Sequence, residues 1–190
     1  MKKSRLLTTG GALAALLLAF AVPLHADEIE VLPYGADGYR YDAYPDLAHV
    51  PADWASPAFD ESALVAGAMP FGSWELGGTT CALAPEASTP WPSASVLLAR
   101  RTFVLPRGAT GVQVLLGVDN NALVAVNGNL LAPDWTRHEH CPLRDEFVFD
   151  VPAAFLHRAG ANVLAVLAHD TGVESWIDVR VIATGRSPLR

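Results

Sequence analysis

Residues 100–128 read RRTFVLPRGATGVQVLLGVDNNALVAVNG, and the reading of this stretch decides the fold. Ala99, Arg101, Phe103 and Leu105 fall on one side of a first run, which Pro106-Arg107-Gly108 breaks. Val112, Val114, Leu116 and Val118 then alternate with Gln113, Leu115, Gly117 and Asp119. Asp119-Asn120-Asn121 turns the chain, residues 122–126 form a third run, and Asn127-Gly128 is a hairpin signal. Alternation with a period of two, bounded by Gly, Pro, Asn and Asp, predicts β-strands. Taken locally, three such runs joined by tight turns predict an antiparallel meander.

Working outward, residues 163–168 are almost continuously apolar, as a central strand covered on both faces requires. Phe147, Phe149 and Val151 alternate, and residues 176–182 alternate as a closing strand. Shorter strands are predicted at 28–32 and 39–41. Helix is expected only as short turns: one begun by Asp60-Glu61-Ser62, with Asp60 capping free backbone N–H groups, and one over 152–158. Many short strands with Gly- and Pro-rich turns predict an all-β, antiparallel jelly-roll β-sandwich. Its expected core includes Phe103, Leu116, Val126, Phe149, Leu164, Val166 and Val179. The domain is expected over 27–182, with 183–190 as a frayed tail.

The first 26 residues read as a signal peptide. Lys2, Lys3 and Arg5 form its basic region, 11–21 its apolar region, and Pro23-Leu24-His25-Ala26 its cleavage boundary. A secreted or periplasmic protein with no stable membrane anchor after cleavage is expected. The whole chain of 190 residues carries a net charge of −7, and the leader holds basic residues but no acid. A domain this acidic is a poor partner for nucleic acid or an anionic membrane. Two cysteines in an exported chain predict a disulfide between Cys81 and Cys141, the alternative being two buried thiols.

The order of motifs resembles that of galactose-binding-like jelly-roll domains, among them the sugar-binding domain of family 2 glycoside hydrolases. Trp54, Phe59-Asp60-Glu61-Ser62, Gly67 and Pro70-Phe71-Gly72 are similar to that family's opening. Arg100-Arg101-Thr102-Phe103 with Pro106 looks like its arginine–phenylalanine strand. Gly117-Val118-Asp119-Asn120 with Val126-Asn127-Gly128 looks like its hairpin, and Gly160-Ala161-Asn162-Val163-Leu164-Ala165-Val166 like its later strand. Asp170 and Asp178 fall where related secreted proteins carry aspartates. The resemblance spans about 39–182 and implies the sandwich fold with a sugar-binding role. Leu64 stands where a second Trp is common, and Cys81, Cys141 and the Trp135 loop are not family hallmarks. No hydrolase barrel follows the domain, so hydrolase activity is not carried over. Most of the motif residues are expected to be structural: Gly128 and Asn127 tolerate positive φ, Asp119 bonds a turn, and Asp60 caps a helix.

Chemistry-bearing groups are sparse. His138 and His140, two apart, have usable metal-ligand spacing but no third spaced ligand. His169-Asp170 has no nucleophile motif beside it, and Asp145-Glu146 would point to opposite faces of a strand. No catalytic residue is therefore assigned and no cofactor is expected; the fold leaves a structural calcium open. The aromatic loop residues are the strongest functional signal. Trp74, Trp91 and Trp135 lie in polar loops, and Asp134, Arg137 and His138 stand close to Trp135 in sequence. An indole face stacks on a sugar ring while polar neighbours fix its hydroxyls. These six residues form the expected ligand site, on loops 71–92 and 132–144 joined by the disulfide. The expected function is a secreted, non-catalytic carbohydrate-binding or adhesion domain with a glycan or envelope protein as partner. The alternatives are an envelope interaction module without a sugar site and, third, a small hydrolase.

Overall fold

The computed structural model describes residues 27–73, 81–138 and 140–185. The expected leader and Trp74 lie outside the described residues. Twelve strands make two sheets: β1 Asp27–Leu32, β2 Tyr39–Tyr44, β3 Val65–Gly67, β4 Phe71–Gly72, β5 Thr89–Pro90, β6 Val96–Val104, β7 Thr110–Asp119, β8 Asn121–Val126, β9 Asn129–Leu130, β10 Phe147–Asp150, β11 Ala161–His169 and β12 Trp176–Gly185. The first sheet runs β10-β7-β12-β4-β5, with β1 also on β12; the second runs β3-β2-β6-β11-β8-β9. Every pairing is antiparallel except β4 with β5. The expected all-β sandwich is the fold found.

The local reading of the central stretch as a meander is overturned. β6 pairs with β2 and β11, β7 with β10 and β12, and β8 with β11 and β9. The three consecutive strands thus alternate between the sheets. Each connection crosses the sandwich instead of folding back within a sheet. Alternation along a strand reports which face is buried but not which strand lies beside it. The Asn127-Gly128 signal does make a hairpin, β8 to β9, with φ of 51° and 83° at its two residues.

The inward faces meet in one core. Val112, Val114, Leu116 and Val118 of β7 face Leu164, Val166 and Ala168 of β11, with Phe103, Val126 and Val179, all buried. Phe149 packs partly buried against this core. A second cluster lies on the outer face of the second sheet, where Val96, Leu98 and Leu167 are covered by Tyr44, Val50, Trp54, Phe59, Leu123 and Trp135. This is why the β11 run is apolar on both faces. Buried Arg100 holds the cover down. Its Nε donates to Glu61 Oε1 at 2.8 Å, its Nη2 to the Ser56 carbonyl at 2.9 Å and its Nη1 to the Trp54 carbonyl, above the Phe59 ring. The Trp54, Phe59 and Glu61 motif and the Arg100 motif are therefore two halves of one clamp.

Among the described residues, helical structure is confined to three-residue 3-10 turns: Leu47–His49, Glu61–Ala63, Ala84–Glu86 and Ala153–Phe155. Asp60 caps the second by accepting from Ser62 N at 2.9 Å, as its side chain predicts. β12 continues to Gly185, pairing with Asp27 of β1, so residues 183–185 are strand and not tail. No helix among the described residues is long and apolar enough to cross a membrane.

Candidate functional site

At the end of the sandwich where β7 and β11 finish and β6 and β8 begin, the connecting loops enclose a cleft of about 360 Å³. The loop carrying Trp135 forms one wall, and its position follows from backbone pairing. Thr136 N donates to the Ala122 carbonyl at 2.9 Å and His138 N to the Asn120 carbonyl at 3.0 Å. Ala122 N donates in turn to Thr136 Oγ1 at 2.7 Å. Donors two residues apart reaching acceptors two residues apart is strand-like pairing along β8. Side chains then alternate: Thr136 and His138 are buried, while Trp135 and Arg137 share the other side and both line the cleft.

The rest of the cleft comes from the turns after β7 and β11 and from the outer face of the second sheet, where Arg137, Asn121 and His169 follow one another across neighbouring strands. Asn120 is occupied internally: its Oδ1 accepts from Thr171 N at 2.8 Å and Thr171 Oγ1 at 3.0 Å, while its Nδ2 donates to Asp119. It latches the two turns together. Asn121 also lines the cleft, and among the described residues its carboxamide bonds to nothing. His169 lines it with its ring edge-on to Trp135 at 6.1 Å. His138 places Nδ1 2.5 Å from Glu146 Oε1; with the carboxylate accepting, Nδ1 carries the proton, and Nε2 has no partner among the described residues.

A second cavity of about 490 Å³ adjoins the first across Asn120. Asp119, His140, Val173 and both cysteines line it. Cys81 and Cys141 are joined in the expected disulfide, which borders this second cavity and not the Trp135 cleft. Gly117 lets the following loop lie against β7, because a β-carbon there would collide with the Leu143 carbonyl. Three carboxylates of the first sheet and of the turn after β11 are buried. Burial, with the charge of Asp170 next in effect, pushes Asp119 up to about 6. Burial also raises Asp170, although Ala94 N and Gly172 N donate to it. Asp178, fully buried on β12, is pushed up to about 7, again by burial first.

Of the expected site residues, the structure brings together Trp135, Arg137 and His138. Asp134 is exposed and does not line the cleft. Trp91 is a correction: it is 0% exposed in the central core and offers no face to a ligand. Its backbone N bonds the Gly72 carbonyl at 3.0 Å, drawing the segment after β5 inward, so that the ring fills the sandwich end. Flanking Pro90 and Pro92 made this stretch read as an outer loop. Leu47, Asn121, His169 and Thr171 line the cleft without having been expected there. The paired carboxamides Asn120-Asn121 and the His169-Asp170 pair were visible in sequence, but as turn signals. Asp145 and Glu146 take separate partners, Arg180 and His138, so they form no catalytic pair. The His138 and His140 rings stand nearly perpendicular, in a T-shape, with centroids 6.0 Å apart, and no group of three or more His, Cys, Asp or Glu among the described residues is arranged to hold a metal.

The sequence matches no protein-family profile. A stretch of 77 residues is 39% identical to methionyl-tRNA formyltransferase from Roseobacter denitrificans, covering 40% of this chain and 24% of that one. Among solved structures, the fold is similar to β-glucuronidase 2 of Bacteroides uniformis, with a TM-score of 0.56 and 16% identity over 84% of this chain and 18% of that one. It is also similar to the β-glucuronidase of Faecalibacterium prausnitzii, with a TM-score of 0.52 and 15% identity over 88% of this chain and 33% of that one. The chain thus spans a third or less of the enzymes it matches. At these identities the likeness establishes the fold, in line with the family resemblance of the motif order.

Proposed function

We propose that this chain is an exported, non-catalytic carbohydrate-binding or adhesion module whose ligand lies in the Trp135 cleft. The observation that carries the reading is a half-buried indole on a pinned loop, facing groups with unused hydrogen-bonding capacity. A sugar ring has an apolar C–H face and a rim of hydroxyls. The indole covers the first, and Asn121, Thr171 and Arg137 meet the second. The pattern of residues 1–26 and the Cys81–Cys141 bridge support an oxidising location, secreted or periplasmic. A catalytic role for Glu146 and His138 would need a nucleophile, and no hydroxyl or thiol among the described residues bonds His138 Nε2.

The test is a glycan-array screen of the folded protein, followed by calorimetric titration of each hit against wild type and Trp135→Ala. Loss of the stacking platform is expected to weaken binding at least about tenfold. Circular dichroism confirms that the variant is folded. Unchanged binding in folded Trp135→Ala would remove this residue from the site. The second reading, an envelope interaction module, draws on two exposed apolar side chains in loops at the same end, Leu143 at 64% and Val173 at 73% exposure. It takes precedence if the wild type binds no glycan.

A further inference from the structure

We infer that the sugar held in this cleft is anionic, a uronate whose carboxylate is met by Arg137; the inference rests on the carbohydrate reading above. Arg100 pairs with Glu61, Arg144 with Glu86, and Arg180 with Asp145. Arg40, Arg101 and Arg158 donate to the carbonyls of Leu64, Gly38 and Ala109. Arg137, like Arg107 in the β6–β7 turn, has no acceptor among the described residues, although acids outnumber bases 20 to 13 in the chain; of the two, Arg137 is the one that lines the cleft. In a chain so rich in carboxylates, an arginine on a cleft wall without one is an open fork. A guanidinium offers five donors in a plane that matches a carboxylate by two parallel bonds.

Three carboxylates bonded to or beside cleft-lining residues are committed elsewhere, while Asp134, beside Trp135, is exposed and does not line the cleft. Glu146 binds His138, and Asp170 accepts from Ala94 N and Gly172 N. Asp119 accepts from Asn120 and lines the adjoining cavity instead. Among the described residues, the cleft therefore presents one arginine and no acid. Arg137 and Trp135 are two apart on strand-like backbone and share a side. A pyranose ring stacked on Trp135 would place a substituent carboxyl on the ring edge towards Arg137. Asn121, the cross-strand neighbour of Arg137 and without a side-chain partner among the described residues, would take the ring hydroxyls.

Oligosaccharides of hyaluronan, heparosan, polygalacturonate and alginate, each beside its carboxyl-reduced counterpart, test this by calorimetric titration. The expected result is that at least one acidic member binds about tenfold more tightly than its reduced form. That preference should weaken as salt rises past ~0.1 M, where the Debye length falls to about 10 Å. Arg137→Gln should bring the acidic form down to the affinity of the reduced one, and Arg137→Lys, with charge but no fork, should fall between. Arg107→Gln removes the same charge from the β6–β7 turn at the opposite end and should leave the preference intact. Arg137 is exposed and has no partner among the described residues, so its variants should fold as the wild type does. Equal affinity for acidic and reduced forms would overturn the uronate inference and leave the carbohydrate reading standing. A preference that survives in folded Arg137→Gln would overturn the role of Arg137. Binding to no saccharide, acidic or neutral, would overturn both.

Discussion

The two ends of the sandwich use the same polar residue types for opposite purposes. At the end away from the cleft, Asn162 is fully buried, and its Oδ1 accepts from Asn127 Nδ2 at 2.9 Å and His157 N at 2.8 Å. Its Nδ2 donates to the His157 carbonyl at 3.0 Å. Asn127 donates to the Phe155 carbonyl as well and accepts from Val163 N at 2.8 Å. Both carboxamides there are satisfied by the chain itself. At the cleft end Asn121, Arg137 and His138 Nε2 have no partner among the described residues. A carboxamide whose bonds close internally is holding the fold, and one left open on a cleft wall is available to a ligand. Residue type alone does not separate the two cases; the inventory of partners does.

The difference can be broken most forcefully at the cleft end by removing the disulfide. Cys81 and Cys141 are separated by 60 residues, so the Cys81→Ser, Cys141→Ser double variant should lose about 4 kcal/mol in the chain-entropy model. Hydrogen exchange should accelerate in the loops bordering the cleft before it does around Asn162. Uniform acceleration at both ends would contradict the separation. At the far end, Asn162→Ala strands several buried groups and should cost roughly 2–4 kcal/mol in urea unfolding. Saccharide binding by the folded fraction should not change; a matching loss of affinity would show that the ends are coupled.

The smallest effect expected is electrostatic. The Asp119 carboxyl titrates in the folded protein at about 6, above its unfolded value, so the folded state holds the proton more tightly. Stability should therefore fall as pH rises from about 4 to about 6 and level off above that. Asp119→Asn should remove on the order of 2 kcal/mol from this slope. Asp178, titrating at about 7, adds a slope of the same sign that extends to higher pH and should survive in the Asp119 variant. Chemical denaturation across pH, wild type against Asp119→Asn, measures the difference. Identical slopes would show that Asp119 is not desolvated as its burial indicates.

Much of this was legible in the residues. The phase of β7 and the double coverage of β11 came from alternation and from its absence, because burial of a strand face acts on every second side chain. The Asp60 cap and the Asn127-Gly128 hairpin were legible because their chemistry is local. Trp135, Arg137 and His138 could be grouped in the sequence because they stand close together in one polar loop, and the structure has them lining one cleft. The same rule failed at Trp91, whose polar surroundings are as loop-like but whose segment is drawn into the core by its bond to Gly72.

By itself the sequence determined which faces of which segments are apolar, where the chain turns, and that two cysteines were available to join. Each of those is set by side chains a few residues apart, through the periods of the backbone and the conformational preferences of Asn, Gly and Pro. Only the tertiary structure decided that β6, β7 and β8 alternate between sheets. Only it brought Asn121, His169 and Arg137 together in one cleft with Trp135, and only it left Arg137 without an acceptor among the described residues. The physical reason is that pairing partners and unmet hydrogen bonds belong to the packed molecule: they depend on which distant segments come to lie side by side, and a strand's own pattern of burial is compatible with more than one neighbour.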